Sequence, residues 1–358
     1  MTGSTAGGDE QSVPRGKPAT ISDVARHAGV STSTVSYVLS GNRPISAGTR
    51  ARVLASVRTL GFHPHAAARS LASNRANVIA LALPLRQGMH LPVVMQFATA
   101  VVTAARAVDH DVLLLTADEG ADGVRRIAGS AMVDGLILMD VETHDQRVPT
   151  LRELDRPSVL IGLPASPAGL TCVDLDFERA GARCVEHLAE LGHREIALLG
   201  APQIVYERDT GFARRTRDGV RSAAQAGGLR ICTRPVEPTY SAAMAAVEAT
   251  SSATGLIVHN EAAVDHVLTA LRTLGKRVPE DVSVVAICPD EVAVQATPRL
   301  TNVPIPAEEV GRLAVNLLMA RLQGVQVANT TLLSPSIIVR SSTARLPSPR
   351  RDESHKTG

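Results

Sequence analysis

The chain has few cysteines, and their spacing excludes the common uses of this residue. No Cys-x-x-Cys pair and no Cys/His spacing suited to zinc occurs along the sequence. We therefore expect no disulfide framework, no bound metal and four ordinary thiols, namely Cys172, Cys184, Cys232 and Cys288.

Segments that would insert into a membrane or direct export are missing as well. The sequence has no run of about 18 uninterrupted apolar residues, the length that a membrane span needs. Residues 1–17 are rich in Gly, Ser and Thr and lack the basic-then-apolar order of a signal peptide. We therefore expect a cytoplasmic protein whose residues 1–18 form a disordered tail.

Motifs of nucleotide-dependent and hydrolytic enzymes are equally missing. No Gly-x-Gly-x-x-Gly and no P-loop follows any predicted strand, and no Ser/His/Asp or metal-ligand constellation stands out. We expect neither a cofactor nor enzymatic activity.

Net charge is low overall, but it is unevenly distributed. The chain carries +2, yet residues 1–76 contain nine Lys or Arg against three Asp or Glu and so carry +6. The rest of the chain therefore carries −4. A basic first segment attached to a mildly acidic body is typical of a polyanion-binding module joined to a second domain.

Three short helices are predicted in the basic segment. The first begins with a capping-box pattern at Thr20 and ends at Gly29. The second follows at 32–39 and is capped by Ser31, and a third ends at Gly61. Two helices separated by three residues have the layout of a helix-turn-helix.

Hydroxyl groups dominate the outward face of the second helix. A surface helix chosen for propensity would carry Glu, Lys, Ala or Gln there, because Ser and Thr compete for backbone hydrogen bonds. Short donors and acceptors suit contact with phosphates and base edges in a DNA major groove. The outward residues are Thr32, Ser33, Thr34, Ser36 and Tyr37.

A run of small residues follows the three helices. Pro64 stops the preceding helix. The run from His65 to Ser73 has good helix formers but is too short to be a stable helix alone. We interpret residues 63–76 as a hinge that folds when DNA is bound.

These residues resemble the lactose/galactose-repressor family. The resemblance is carried by the segments 19–40 (ATISDVARHAGVSTSTVSYVLS), 60–64 (LGFHP) and 68–71 (ARSL). The whole stretch aligns with the family without insertions or deletions. In that family the segment is a sequence-specific DNA-binding head. The resemblance therefore implies a helix-turn-helix domain at residues 19–62.

The resemblance also implies DNA contacts at individual positions. Leu71 falls where the family wedges an apolar side chain into the minor groove and kinks the operator. Ala72 replaces a minor-groove lysine of some relatives, and we expect Arg69 or Arg75 to offset its loss. The positions that face base edges are Thr32, Ser33 and Tyr37, and those that face phosphates are Thr20, Ser31, Thr34, Ser36 and Ser40.

From residue 77 onward, apolar strands alternate with amphipathic helices. Near-continuous apolar strands in this order indicate parallel sheets in a doubly wound α/β architecture. The length of this region favours two similar lobes over one sheet. The predicted strands are 78–83, 112–116, 135–139, 158–162, 195–200, 255–259 and 282–288, and the helices lie near 93–108, 121–131, 176–191, 213–227, 241–250, 261–275 and 307–323.

This body is similar to the type I periplasmic-binding-protein fold that follows the head in the same family. The similar segments are 191–200 (LGHREIALLG), 274–285 (LGKRVPEDVSVV) and 298–304 (PRLTNVP). The resemblance implies a two-lobed effector-binding and dimerisation domain at 77–340. In such folds the ligand lies between the lobes, at the carboxyl ends of the strands.

The resemblance guides the choice of effector-binding residues, although the chain departs from the family here. Sugar-binding members carry an arginine where this chain has Thr216, and a shift of one residue makes Arg215 the candidate. Asn260 matches an Asn-Asp pair of the family, with Glu261 in place of the acid.

The departure is largest after the strand 282–288. It ends in Cys288, where the family carries an aspartate that grips sugar hydroxyls, and Asp290 stands two residues further on. Asp140 and Glu142, which follow the strand 135–139, are further cleft candidates. The arginines around residue 215 suit an anionic effector as well as a sugar, and a pocket without a ligand stays open as an alternative.

The sequence thus predicts an N-terminal all-α helix-turn-helix head plus a two-lobed α/β domain like a type I periplasmic-binding protein. We expect a repressor of a metabolic operon, controlled by a sugar-like or anionic small molecule. The tail at 341–358 lacks leucine heptads, so we expect a homodimer on double-stranded, pseudo-palindromic operator DNA. The alternative is a cytosolic small-molecule binder or enzyme whose N-terminal helices only dimerise.

Overall fold

The computed structural model describes residues 19–40, 43–62, 75–154, 156–167 and 169–346, without the side chain of Ser40. The chain divides into two compact units, Met1–Ala76 and Asn77–Gly358. We call the first the head and the second the body. Among the described residues, no helix is both long enough and apolar enough to cross a membrane.

The head contains three helices whose ends are set by local hydrogen bonds. The Thr20 hydroxyl accepts from the Asp23 backbone N–H at 3.3 Å, and the Asp23 carboxylate accepts from the Thr20 backbone N–H at 2.9 Å, which completes the predicted capping box. Gly29 ends the first helix with a left-handed φ of 65°. The helices are α1 (Ile21–Ala28), α2 (Thr32–Ser40) and α3 (Ala47–Thr59).

The small core of the head joins all three helices. Val24 of α1, Val35 of α2 and Val53 of α3 are fully buried against one another and against Phe62. The buried positions of α2 leave its other side to solvent. The packing therefore fixes which face of α2 is presented outward.

The first lobe of the body is a six-stranded, all-parallel sheet. Alternate residues of its strands contribute to two separate cores, one on each face. Helices α4 and α13 cover one face, and α5 and α6 cover the other. In spatial order the strands are β11 (Thr330–Leu333), β5 (Thr171–Leu175), β4 (Ser158–Ile161), β3 (Gly135–Leu138), β1 (Val78–Ala82) and β2 (Asp111–Leu115). The helices are α4 (Leu91–Ala107), α5 (Gly120–Ala128), α6 (Arg147–Glu153) and α13 (Ala307–Leu322).

The second lobe repeats this design with five parallel strands. Helices α7 and α9 cover one face of the sheet, and α10 and α11 cover the other. In spatial order the strands are β10 (Thr301–Pro304), β9 (Ser283–Cys288), β8 (Gly255–Val258), β6 (Glu195–Gly200) and β7 (Arg230–Pro235). The helices are α7 (Phe177–Glu190), α8 (Gln203–Glu207), α9 (Gly211–Ala226), α10 (Tyr240–Ala249), α11 (Val264–Thr273), preceded by a 3₁₀ turn at Glu261–Ala263, and α12 (Asp290–Gln295).

The chain passes between the lobes three times. It crosses after β5 into α7, returns after β10 into α13, and crosses again after β11 towards Ile338, which pairs with Asn302 of β10. Strand ends from both lobes therefore face each other across one cleft. The doubly wound, two-lobed architecture predicted from the sequence is confirmed.

The sequence prediction missed four strands, β5, β7, β10 and β11. Three of them, β7, β10 and β11, lie at sheet edges, and β10 is a buried edge strand whose Thr301 and Asn302 are polar. β5 is an inner strand, but its Asp174 interrupts the apolar run. Their weaker apolar pattern explains the omission.

The predicted boundary between the body and the C-terminal tail, after Arg340, is wrong by several residues. Ser342 is fully buried, and its hydroxyl donates to the Val284 carbonyl of β9 at 2.6 Å. The Leu346 backbone N–H donates to the Leu191 carbonyl at 2.9 Å. Residues 341–346 are thus part of the second lobe.

Candidate functional site

The outward face of α2 presents hydroxyl-bearing side chains. Thr32, Ser33 and Tyr37 are exposed, whereas Thr34 and Ser36 are half-buried. The inward face consists of Val35 and Val38, which are buried. A solvated row of short donors and acceptors on a helix-turn-helix is the geometry with which such a helix contacts a major groove.

Two local contacts organise this face. The Ser31 hydroxyl lies 2.9 Å from the Thr34 hydroxyl and accepts from the Thr34 backbone N–H at 3.2 Å, so Ser31 caps α2 as predicted. The Arg43 guanidinium lies 5.2 Å from the centroid of the Tyr37 ring, which places a cation beside the exposed face.

Three predicted DNA-contact positions cannot be placed on this surface. Arg69 and Leu71 lie outside the described residues, as does the hinge between residues 63 and 74, and the Ser40 side chain lies outside them too. Their roles stay predictions.

A cavity lies between the two lobes of the body. It encloses about 980 Å³ of space, part of it open to solvent. Its wall is formed by the carboxyl ends of seven strands (β1, β3, β4, β5, β6, β8 and β10) and by α4, α7, α8 and α9. The residues that line it are Leu83, Gly88, Met89, His90, Val93, Val94, Phe97, Met139, Asp140, Val141, Ile161, Gly162, Asp174, Phe177, Ala201, Pro202, Val205, Arg208, Phe212, His259, Asn260, Glu261 and Ile305.

Two of the five predicted effector-binding residues, Asp140 and Asn260, are in this wall. Asp140 follows β3 and adopts a left-handed φ of 52°. Asn260 follows β8 and is buried, and its side-chain amide donates to the Val236 carbonyl at 2.6 Å. The carboxyl-end rule for parallel sheets brings them to the same cleft.

Glu142 is held next to the cavity by Arg86 but does not line it. One Arg86 nitrogen, Nη1, donates to Asp140 at 3.1 Å and to Glu142 at 2.8 Å, while Nε and Nη2 donate to Asp118 at 2.8 Å. Burial raises the pKa of Glu142, and Arg86 acts against this shift. A single guanidinium is thus shared by three carboxylates on this side of the cleft.

Arg215 does not line the cavity either, but it contacts a residue that does. Its guanidinium donates to Asp174, which does line the wall, and lies 5.6 Å from the centroid of the Phe177 ring. Burial raises the pKa of Asp174 to about 6, and the ion pair with Arg215 opposes this shift.

Asp290 lies away from the cavity wall. It begins α12, and its carboxylate accepts from Arg340 Nη2 at 2.6 Å. Arg340 also donates to the Leu300 carbonyl at 2.9 Å. These contacts tie α12 to the C-terminal segment, which is a sufficient structural reason for the aspartate.

Sequence reasoning missed several polar residues of the cavity wall. Arg208 donates to the Gln87 carbonyl of the other lobe at 2.7 Å and lies 4.0 Å from Asp140. His90 of the first lobe lies 3.4 Å from Glu261 of the second. His259 and Asp174 could have been predicted from their positions at strand ends. Arg208 could not, because it belongs to the short segment around α8, whose sequence has no strong pattern.

His259 connects the polar and aromatic parts of the wall. It is 3% exposed, and its ring lies 5.8 Å from that of Phe177 and 5.6 Å from that of Phe212. Burial lowers its pKa to about 4, so the imidazole is neutral at pH 7.

Comparisons with known families match both units. The family described as bacterial regulatory proteins, lacI family, matches residues 20–65. The periplasmic binding protein-like domain matches residues 185–343.

Full-length relatives match along nearly the whole chain. The HTH-type transcriptional regulator CelR of Thermobifida fusca is 31% identical over 338 residues, which are 90% of this chain and 98% of CelR. The ribose operon repressor of Escherichia coli (strain K12) is 28% identical over 341 residues, 90% of this chain and 99% of the repressor.

Solved structures agree with these relatives. A structure of CelR in complex with cellobiose has a TM-score of 0.65 at 28% identity and covers 90% of this chain and 99% of that one. A structure of the Lac repressor bound to ONPG in the repressed state has a TM-score of 0.78 at 25% identity and covers 91% and 100%.

A helix-turn-helix with an exposed hydroxyl face, followed by a two-lobed body with a cleft cavity, defines a DNA-binding transcription regulator. The chain belongs to the lacI family of bacterial regulatory proteins. The family and function predicted from its first 76 residues are confirmed.

Proposed function

We propose that the protein is a dimeric repressor of a metabolic operon whose operator affinity is set by a small molecule in the cleft. One observation carries this proposal: the same chain has an exposed hydroxyl face on α2 and a cavity between the carboxyl ends of two parallel sheets. Relatives supply the precedent: one is a ribose operon repressor, and CelR has been solved with cellobiose.

We infer that base readout uses Thr32, Ser33 and Tyr37, and that phosphate contacts use Thr20, Ser31, Thr34, Ser36 and Ser40. Arg69 is proposed to offset the loss of the minor-groove lysine that Ala72 replaces. The exposure of Thr32, Ser33 and Tyr37 supports their role, because base edges are reached by side chains free of the head's own core. Leu71 is the proposed minor-groove wedge. Asp140 and Asn260 are the proposed effector-binding residues that line the cavity. Glu142, Arg215 and Asp290 are bound to Arg86, Asp174 and Arg340 instead.

Dimer formation is supported by an apolar stripe on α4. Leu91, Met95 and Val102 are 50%, 45% and 48% exposed, and their spacing places them on one side of the helix. We call these three residues the α4 stripe. A solvent-exposed row of large apolar side chains is typical of an interface. A dimer presents two heads to a pseudo-palindromic operator. Acting on bacterial DNA, it would work in the cytoplasm, and we assign it no catalytic activity.

Selection of bound sequences from random DNA by the full-length protein tests the proposal. We expect a pseudo-palindrome, bound with an affinity that falls steeply between 50 and 200 mM salt, as phosphate contacts require (about 10³-fold or more for six or more contacts). Ser33→Ala should relax base preference within each half-site, while the control Thr59→Ala, exposed at the end of α3, should not. A cytosolic binder or enzyme with merely dimerising helices would enrich no sequence.

A further inference from the structure

The cleft cavity is lined mainly by apolar side chains from both lobes. Val93 and Phe97 of α4 face it from the first lobe, and Val205, Phe177 and Phe212 face it from the second. The rings of Phe177 and Phe212 lie 5.6 Å apart at their centroids. Such a wall favours a flat apolar group, for which ring faces and edges are a complementary surface.

The charged groups of the wall already have partners. Asp140 is paired with Arg86 at 3.1 Å, and Asp174 is paired with Arg215. Arg208 donates to the Gln87 carbonyl and lies 4.0 Å from Asp140. Glu261 is the exception, because it lies 3.4 Å from His90 Nδ1 without forming a hydrogen bond. An anionic ligand would meet a wall in which carboxylates outnumber guanidinium groups, and it would lose its hydration.

Some hydrogen-bonding capacity nevertheless remains unused. Within the described part of the chain, His90 Nδ1, Arg208 Nε and His259 Nδ1 are buried and have no hydrogen-bond partner. All three residues line the cavity. A buried polar atom without a partner costs free energy that a ligand group can recover. Three such atoms are enough for one or two polar groups of a ligand.

We propose, on the basis of the function proposed above, that the cleft binds an uncharged ligand built on a flat apolar ring that carries one or two hydrogen-bonding groups. The ring packs against Phe177 and Phe212. A hydroxyl or carbonyl of the ligand forms a hydrogen bond with the His259 imidazole. A neutral imidazole suits this contact, because it has one donating and one accepting nitrogen.

Isothermal titration calorimetry with the full-length protein tests the ligand class. The probes are 2-naphthol, naphthalene-2-sulfonate, which keeps the ring but adds a charge, and cellobiose, a neutral polyol. We expect 2-naphthol to bind at least ten times more tightly than either of the others. Equal or tighter binding of cellobiose or the sulfonate, or no binding of 2-naphthol, overturns the proposal.

The hydrogen bond between the ligand and His259 is tested by removing the ligand hydroxyl and the His259 side chain separately and together. His259→Phe should weaken 2-naphthol binding about tenfold, the value of one buried hydrogen bond, and leave naphthalene binding unchanged. His144→Phe, at an exposed histidine, should change neither. If His259→Phe does not fold, as circular dichroism would show, the difference between 2-naphthol and naphthalene on the unaltered protein measures the same contact; equal affinities then contradict it.

Operator binding, followed by fluorescence anisotropy on the selected sequence, separates this proposal from the proposed function. A protein that binds the operator but not 2-naphthol refutes the ligand class alone. A protein that binds 2-naphthol but no specific DNA sequence supports the ligand class and refutes the regulator.

Discussion

Asp174 lies buried in the wall of the cleft, and the guanidinium of Arg215 compensates its charge. Removing one partner of a buried ion pair is more harmful than removing both, because it leaves an uncompensated charge. We therefore expect Arg215→Met to lower the free energy of unfolding by about 3 kcal/mol at pH 8. Urea denaturation followed by circular dichroism measures this loss.

The loss should shrink as the pH falls. Burial already raises the pKa of Asp174 to about 6 with Arg215 in place, and removing Arg215 raises it further. The unfolded carboxyl titrates near pH 3.9, so the folded variant binds its proton more tightly and its stability falls as the pH rises from about 4 through 6. At pH 5 the deficit should be clearly smaller than at pH 8. Adding Asp174→Asn should abolish this pH dependence; an equal deficit at both pH values would contradict the argument.

His259 has the opposite sign of pH dependence. Burial lowers its pKa to about 4, whereas an unfolded histidine titrates near 6.5. The unfolded chain therefore takes up the proton first, and this residue alone should remove roughly 2 kcal/mol or more of stability between pH 7 and pH 4.5. His259→Phe should make the free energy of unfolding less sensitive to acid over that range. The exposed His144, changed to Phe, is the control and should leave the acid sensitivity as it is.

Buried strands were predictable where their apolar run is unbroken. The strands β1, β3, β4, β6, β8 and β9 are buried almost throughout, and their apolar runs predict them to within one residue at each end. Edge strands such as β7 and β11 carry Arg or Thr, so their pairing is fixed by the neighbouring strand rather than by their own composition. The short helices α6, α8 and α12 are too brief for a helical period to show.

Helices α7 and α9 pack closely because two glycines leave room for the facing backbone. A Cβ atom at Gly219 of α9 would overlap the Glu178 carbonyl oxygen, and one at Gly181 of α7 would overlap the Thr216 carbonyl oxygen. Gly219→Ala must therefore push the helices apart, which we expect to cost about 1–3 kcal/mol of folding free energy. Thermal unfolding should show a lower midpoint for Gly219→Ala but not for Ser222→Ala, an exposed position on the same helix; an unchanged midpoint would mean that the helices separate without cost.

At the scale of the molecule, the sequence located the cleft but only part of its chemistry. Asp140 and Asn260 follow strands, so the topology of a parallel sheet places them correctly. Arg208 and His90 reach the cavity from irregular segments of different lobes, and only the folded arrangement brings them together. Arg215 and Asp290 were chosen because they lie near effector-binding positions of the family. Each instead forms an ion pair with a residue distant in sequence, Asp174 and Arg340 respectively.

Operator recognition by the whole molecule depends on two heads acting together. If the α4 stripe joins two copies, a two-fold interface contains every substitution twice. A charge placed there must therefore lose its hydration and lie close to the same charge on the partner. We expect Val102→Glu to convert the dimer into a monomer at micromolar concentration, as sedimentation velocity would show. In a dimer, the head bound at one half-site holds the other head close to the second half-site and so raises its effective concentration there. A monomer loses this advantage.

Affinity for the full pseudo-palindrome should accordingly fall by about 100-fold or more, towards that of an isolated half-site. Affinity for the single half-site should stay the same, because no residue of the head is altered. Val339→Glu, at a position that is 60% exposed on the second lobe, introduces the same charge outside the stripe and should leave both sedimentation and binding unchanged. A Val102→Glu protein that remains dimeric would move the interface away from α4. A monomer that still binds the palindrome at full affinity would instead show that the two heads do not act as a pair.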